Sequence, residues 1–314
     1  MPETLARLDL RTLLFVALTV VSLFLIVVFV RGLPRVARAR GESATPGVAL
    51  TVIGAVVNFF DALGIGSFAT TTAIVRQWRL VRDEVLPGTL NAGHALPTIA
   101  QAFIFTSLVP VEPLTLTGMI VAAVLGSWLG AGVVARMPRR AIQLGMGVAL
   151  IVFATIVVLR QTGVFPSGGQ SLGLSGGLLV AALAGNFALG ALMTLGIGLY
   201  APCMIMVALL GMNPTAAFPI MMGSCAFLMP VASARFIREK AVDPRAVISF
   251  AIGGIPGSIV AGVFVKSLPL KAVYWLVVVV VIYTAVGLIR ASRRADARDV
   301  AGTPAPTRAP AVTP

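Results

Sequence analysis

One apolar run near the start of the chain limits what this protein can fold into. Within residues 13–30, Thr19 and Ser22 are the two polar side chains. The run is as long as a helix that crosses a bilayer, which needs about 17–25 residues. It is too long for the apolar part of a signal peptide. Charged residues make up 11% of the chain and the mean hydropathy is +0.99, whereas soluble domains carry about 25% charged residues. The sequence therefore predicts an integral membrane protein.

The distribution of basic residues predicts a lipid bilayer, and no nucleic acid, as the partner. The formal net charge is +13, but the basic side chains form short clusters between apolar runs, as in the positive-inside pattern of membrane proteins. The predicted cytoplasmic clusters are 31–40, 76–82, 136–140, 235–245 and 290–294, and the predicted outer loops are 110–113, 160–173 and 211–215. We therefore expect a multi-pass protein of the plasma or inner membrane, with its C-terminus in the cytoplasm and its N-terminus outside.

Two pairs of similar segments indicate an internal duplication. Residues 63–66, "LGIG", recur 132 positions later at 195–198. The segment "GSWLGAGVVARMP" at 126–138 is echoed 131 positions later by "GSIVAGVFVKSLP". Two motifs in the same order at nearly one offset predict a repeated architecture. The apolar runs that predict its helices are 11–31, 48–75, 91–109, 114–135, 141–159, 174–210, 216–235, 246–265 and 270–290.

The charge pattern further predicts that the two repeats have opposite orientations. Residues 48–75 begin and end beside predicted cytoplasmic loops, and 174–210 begin and end beside predicted outer loops. The first segment is too short for two full crossings. It is therefore predicted to enter partway, break at its glycines and return. Each half then has three full crossings and one re-entrant hairpin, and an odd number of crossings inverts the second half.

The predicted fold class is an all-α polytopic membrane protein with two inverted-topology repeats. Its predicted parts are an N-terminal transmembrane helix with a basic cytoplasmic loop (1–47), a first repeat (48–160), a linking loop (161–173), a second repeat (174–290) and a disordered cytoplasmic tail (291–314).

The glycine pairs predict a binding site for an anion. Gly64 and Gly66 let the backbone leave helical geometry at mid-membrane depth. The freed amides at the start of a half-helix favour an anionic ligand, and two such tips from opposite sides would meet near the midplane. Close packing of neighbouring helices is the alternative reason for these glycines.

Two segments resemble the sulfite exporter TauE/SafE family of permeases, also called TSUP or DUF81. They are "GAVVNFFDALGIGSFATTTAIV" at 54–75 and "LGIGLYAPCMIMVALLGMNPTAAFPIMMGS" at 195–224, and the likeness covers most of residues 48–290. The positions that match the family's motifs are Asp61, Gly64, Gly66, Asn91 at the start of the next helix, Gly196, Gly198 and Pro202. The chain departs from the family pattern at Ser67 and Leu199, where the glycine run often continues, and at Thr71-Thr72, where a proline is usual.

This resemblance implies transport of sulfur-containing anions such as sulfite, thiosulfate or organosulfonates, and in some members of small carboxylates. The residues predicted to bind the substrate are Gly64, Gly66, Ser67, Thr71, Asn91, Gly196, Gly198, Pro202, Cys203, Ser224 and Cys225. Cys225 is expected to open a helix after Gly223-Ser224. Either cysteine could instead be a small buried hydrophobic residue.

Asp61 and His94 are predicted to handle a proton. An ionised acid at membrane depth costs about 2.5–3.5 kcal/mol on insertion scales, and a carboxylate beside an anion site would repel the substrate unless it were protonated. His94 is a candidate relay for that proton. In the alternative interpretation, Asp61 is a hydrogen-bonded acid that holds the helix break.

The sequence does not indicate an enzyme. It contains no recognisable set of nucleophile, base and orienting residue, and one histidine among scattered acids does not predict a zinc site, so no metal or cofactor is expected. Two alternatives to anion transport stay open, namely a cation or proton-coupled carboxylate transporter that uses Asp61, and a membrane assembly protein without transport activity. The sequence leaves the direction of transport and the oligomeric state open.

Overall fold

The computed structural model describes residues 2–64, 66–134, 169–193 and 199–265, together with isolated positions between 148 and 162 and between 275 and 290. The long elements of this described part are all helices, as predicted. They are α1 (Pro2–Arg40), α2 (Val48–Ala62), α3 (Ser67–Gln77), α4 (Leu86–Leu108), α5 (Pro113–Val134), α6 (Gly176–Met193), α7 (Tyr200–Leu209), α8 (Ala217–Arg238) and α9 (Pro244–Val265). The predicted segments 141–159 and 270–290 lie mostly outside the described residues, and the tail 291–314 lies wholly outside them.

The first helix is longer than its apolar run predicts. The run ends near residue 31, but α1 continues to Arg40 with Pro34 inside it, so the predicted basic loop at 31–40 is wrong. Arginine and alanine are good helix formers, and they carry the helix on to Gly41, whose φ is +62°. The amide of Glu42 then donates to the carbonyl of Ala37 at 2.9 Å, in the glycine-terminated manner typical of helix ends.

Four helices are long and apolar enough to cross a membrane, judged by length and composition within the described residues. They are Leu10–Arg40, Gly176–Met193, Pro214–Arg238 and Pro244–Phe264. Val48–Ala62 and Pro113–Leu129 are shorter apolar helices. The length and hydropathy of these helices support a multi-pass membrane protein.

The helices pack in a regular set of pairs. α4 packs against α8, α2 against α9, and α5 against α6, while α9 also contacts α4 and α5 also contacts α8. Glycines bring two of these pairs close together. A Cβ atom at Gly253 of α9 would collide with the Thr51 carbonyl of α2, and one at Gly126 of α5 would collide with the Phe187 carbonyl of α6. These glycines therefore serve close helix packing.

Three predicted cytoplasmic loops meet at one end of α4, which we call the basic face and define as residues 40–47, 82–89 and 239–245. Arg40 donates to the carbonyl of Lys240 at 3.0 Å. Glu42 pairs with Arg82 at 3.3 Å. The amide of Asp243 donates to Thr89 Oγ1, near the start of α4, at 2.9 Å.

Predicted outer loops meet at the other end of α4, which we call the opposite face and define as residues 110–115, 171–175 and 211–215. The amide of Glu112 donates to the carbonyl of Leu172 at 2.7 Å, and that of Asn213 to the carbonyl of Ser171 at 2.8 Å. Arg11 of α1 donates to the carbonyl of Thr106, near the end of α4, at 2.8 Å. At about 1.5 Å per residue, α4 separates the two faces by roughly 30 Å.

Candidate functional site

The chain breaks its helix between α2 and α3, at the predicted glycines. Gly64 has φ +93° and Gly66 has φ +82°, values that favour glycine because other residues carry a Cβ that clashes there. The amide of Gly64 donates to the carbonyl of Asp61 at 2.9 Å, which closes the last turn of α2. Ile65, between the two glycines, lies outside the described residues.

The first break lies directly against the second half of the chain. A Cβ at Gly64 would be 2.8 Å from Met204 Cε of α7 and 3.7 Å from Phe218 Cε1 of α8. At Gly66 an added Cβ would meet no heavy atom of the described residues within 4 Å. One glycine of the pair therefore lies in a tight contact between the two halves, and the other has no such contact with the described part of the chain.

A fully buried glutamine connects this break to three other helices. Gln101 of α4 is 0% exposed and Asp61 is 1% exposed. Gln101 Nε2 donates to Asp61 Oδ2 at 3.0 Å and to Ser258 Oγ of α9 at 3.0 Å. The Tyr200 hydroxyl, in the first residue of α7, donates to Gln101 Oε1 at 3.1 Å. We call Asp61, Gln101, Tyr200 and Ser258 the Gln101 cluster.

The carboxylate of Asp61 also lies at the N-terminus of α3. Ser67, the first residue of α3, hydrogen bonds to the carboxylate through both its side chain and its backbone. Backbone amides at a helix start have no partner inside the helix, and a negative charge is favourable there. The chain's own carboxylate thus lies at the helix start where the sequence predicted a bound anion.

His94 belongs to a neighbouring polar group. Its Nδ1 is 2.9 Å from Asn58 Nδ2, and its Nε2 is 3.0 Å from Thr71 Oγ1. The ring is 0% exposed and stacks on Phe250 with 5.2 Å between the centroids. The hydrogen bonds described for His94 go to the side chains of Asn58 and Thr71. The backbone carbonyl of Asn58 is 3.4 Å from Gln101 Nε2, so Asn58 lies between His94 and the Gln101 cluster.

The two cysteines are free and buried on different helices of the second half. Cys203 lies on α7 and Cys225 on α8. The Cys225 thiol lies 3.4 Å from Met193 Sδ, at the end of α6, and Cys225 interacts electrostatically with Asp61 and Cys203. Cys225 does not open a helix as expected. The helix runs unbroken from Ala217 through Gly223-Ser224 because Pro214 starts the helical turns well before that dipeptide.

The remaining predicted residues divide between the site and its surroundings. Ser224 accepts a hydrogen bond from Asn186 Nδ2 at 3.1 Å. Asn91 does not start a helix, because α4 begins at Leu86 with Pro87 in its first turn. The Asn91 side chain donates to the carbonyl of Pro87 at 3.0 Å. Pro202 is buried in the first turn of α7. Gly196 and Gly198 lie outside the described residues.

Sequence reasoning missed Gln101, Tyr200 and Asn58. A signal for Gln101 was present, because Asn91, His94, Thr98 and Gln101 follow one another at spacings of three or four. Such spacing forms a single polar stripe on a helix. Polar side chains inside an apolar run are costly in a membrane unless they face partners or a cavity.

A comparison with protein families finds a match to part of the chain. The family model described as "Sulfite exporter TauE/SafE" matches residues 177–313, which include all of α7, α8 and α9. No curated protein and no solved structure matches the chain. The match confirms the family predicted from the sequence. Over these residues the chain is similar to the sulfite exporters of the TauE/SafE family, which is a family of membrane transporters.

Proposed function

We propose that this protein is a secondary transporter for small anions, with sulfite, thiosulfate or organosulfonates as favoured substrates. The substrate binds at mid-membrane depth between the tips of two broken hairpins, α2–α3 and α6–α7. The observation that carries the proposal is the hydrogen-bonded path from Asp61 through Gln101 to Tyr200. It joins the break of the first hairpin to the start of the returning helix of the second.

Contacts at the hairpin ends support a re-entrant course for both. Glu42 precedes α2 and Arg82 follows α3, and these two residues pair at the basic face. Ser171 precedes α6 and Asn213 follows α7, and their backbones hydrogen bond at the opposite face. Each segment therefore begins and ends on one side, and the two sides differ.

The packing of the helices supports an inverted repeat. If α2, α3, α4 and α5 correspond to α6, α7, α8 and α9, exchanging the halves turns the α2–α9 pair into the α6–α5 pair. It turns the α4–α9 pair into the α8–α5 pair and leaves the α4–α8 pair unchanged. All of these pairs are in contact. An approximate two-fold relation of this kind is typical of transporters with inverted repeats.

The position of Asp61 suggests how transport is coupled to protons. The Gln101, Ser67 and Tyr200 groups that bond to its carboxylate are all uncharged. A substrate anion at the start of α3 would compete with this carboxylate, and two adjacent negative charges disfavour each other. We therefore propose that Asp61 takes up a proton when the anion binds, and that His94 is a candidate relay for that proton. Such coupling favours import, since export of an anion from a negative interior already gains about 2.3 kcal/mol per charge per 100 mV.

The proposal is tested with purified protein in liposomes. Uptake of labelled thiosulfate and sulfite is measured under an inward proton gradient, an inward sodium gradient and an imposed potential, each applied separately. We expect accumulation with the proton gradient and not with the sodium gradient. Thiosulfate is the better probe of pH because its charge stays constant near neutrality.

The alternatives give different results in the same experiment. Sodium-driven uptake or uptake of carboxylates alone would support the cation or carboxylate transporter, and flux equal to that of empty liposomes for every solute would support a non-transporting protein.

Asp61→Asn should abolish accumulation but keep exchange of anions across the membrane. Asp243→Asn is the matched control, because Asp243 caps α9 at the basic face through the amide of Ala246, far from the Gln101 cluster.

A further inference from the structure

The orientation of the Gln101 amide depends on the charge of Asp61. An ionised carboxylate can only accept hydrogen bonds, so the amide must turn its NH₂ group towards it. That is the arrangement observed, with Nε2 near Asp61 Oδ2 and Ser258 Oγ, and Oε1 near the Tyr200 hydroxyl. The Tyr200 hydroxyl faces two acceptors, Gln101 Oε1 and the Asp61 carboxylate, so its one proton is held within the Gln101 cluster while Asp61 is ionised.

A protonated Asp61 reverses this requirement. The acid then carries an O–H that needs an acceptor, and in the Gln101 side chain the acceptor is the carbonyl oxygen. Rotation of the amide by half a turn places Oε1 towards Asp61 and Nε2 towards Tyr200. The Tyr200 oxygen then accepts from Nε2, and its own O–H is free to donate to another group.

We propose that Gln101 is a positioning residue that transmits protonation of Asp61 in the first hairpin to Tyr200 in the second, and thereby frees the Tyr200 hydroxyl to bind the substrate anion. This inference rests on the proposed function. It adds to it a hydrogen-bond donor for the anion and a physical link between the proton and the donor. Substrate binding and proton binding then favour each other, as linkage requires.

The surroundings of Gln101 permit both orientations. The hydroxyls of Ser258 and Tyr200 each rotate and can donate or accept, so neither loses its partner in the rotation. The weaker contact of Nε2 with the Asn58 carbonyl, at 3.4 Å, is the one that is given up. Because every member is buried, an unsatisfied group would be costly. The amide therefore changes orientation with the proton and does not occupy both positions freely.

The other titratable groups near the Gln101 cluster are His94 on α4, Cys203 on α7 and Cys225 on α8. Cys225 interacts electrostatically with Tyr200, and Cys203 interacts with Cys225. The hydrogen bonds described for His94 go to Asn58 and Thr71. These contacts leave Asp61 as the group whose proton Gln101 detects.

The test is the pH dependence of the effect of Tyr200→Phe. The KM for thiosulfate is measured in liposomes from mildly acidic to mildly alkaline pH. In acid, the variant should raise KM about tenfold or more, since a hydrogen bond to a charged group is lost. In alkali, where the Tyr200 hydroxyl still donates within the Gln101 cluster, the change should be less than about twofold. Tyr283→Phe, at an exposed tyrosine, is the matched control and should leave KM unchanged throughout.

Two further variants separate the switch from a structural role. In Asp61→Asn the amide mimics the protonated acid, so Tyr200→Phe added to it should raise KM equally at every pH. In Gln101→Leu the link is absent, and the effect of Tyr200→Phe should again be independent of pH. An equal effect of Tyr200→Phe at all pH values in otherwise native protein would refute the switch. Absence of thiosulfate transport by the native protein would instead refute the proposed function.

Discussion

Replacing each glycine of the first break by alanine tests whether the left-handed backbone is required. At Gly66 an added Cβ meets no atom of the described residues within 4 Å, so the expected cost is that of φ +82°, about 1–2 kcal/mol for an L-residue. At Gly64 the same backbone cost applies. The added Cβ would also lie 2.8 Å from Met204 Cε, but this methyl is the end of a flexible side chain and can move aside. We therefore expect both variants to lose about 1–2 kcal/mol, with Gly64→Ala at the upper end.

The assay is equilibrium unfolding in mixed detergent micelles, with Gly177→Ala as the matched control. Gly177 lies in the first turn of α6 with ordinary φ, and an added Cβ meets nothing within 4 Å. Alanine should stabilise that helix by about 0.5–1 kcal/mol, so the control and the test variants are expected to have opposite signs. A neutral or stabilising Gly66→Ala would refute the left-handed break. If Gly66→Ala stays folded under the assay conditions but loses transport, the substrate is expected to bind beside Gly66.

Three further predictions concern other parts of the chain. An alanine at Gly254 would place its Cβ 2.5 Å from Asn58 Nδ2 and displace this buried amide. Gly254→Ala should therefore lower the free energy of unfolding by about 1–3 kcal/mol, and an unchanged free energy of unfolding would contradict this packing. Cys203 and Cys225 should react more slowly with a membrane-permeant thiol reagent when thiosulfate is present, and unchanged rates together with full transport by the double alanine variant would exclude a role in binding. A reporter fused after Arg290 should be active in the cytoplasm, and activity confined to the periplasm would reverse the proposed topology.

Much of the helical layout follows from local properties of the sequence. Apolar runs predicted that α5 begins at 114 and α9 at 246, and the observed helices begin at Pro113 and Pro244. The starts agree closely because flanking proline or charge acts within one helix. The break at Gly64 and Gly66 was predicted for the same reason, since positive φ is a property of single residues.

Features that depend on distant partners could not be predicted in this way. Gln101 and Tyr200 are 99 positions apart, and no local pattern indicates that their side chains meet. The end of α1 at Arg40 also depends on a partner outside the helix, because that side chain donates to the Lys240 carbonyl and so holds the last turn against the basic face. Charge patterning predicted this cluster on the same side as those near residues 82 and 240, which it adjoins in the structure, but it did not reveal that the cluster is helical.

The two halves that we propose to be inverted repeats differ in their polar chemistry, and this difference bears on where the proposed site lies. Asn58 of α2 directs its amide to His94 of α4, while Asn186 of α6 directs its amide to Ser224 of α8, and its Oδ1 has no hydrogen-bond partner within the part of the chain that the structure describes. Each half thus binds its first helix to its long central helix through one buried asparagine. The first half adds an acid, a histidine and a glutamine to this pairing, whereas Met193 ends α6 beside Cys225. Charge and proton chemistry are therefore concentrated in the first half, and the contribution of the second half to the Gln101 cluster is the hydroxyl of Tyr200 and, through α9, that of Ser258. Among the described residues, a buried acid and neutral hydrogen-bond donors come together where the two halves meet, and the proposed site therefore lies there.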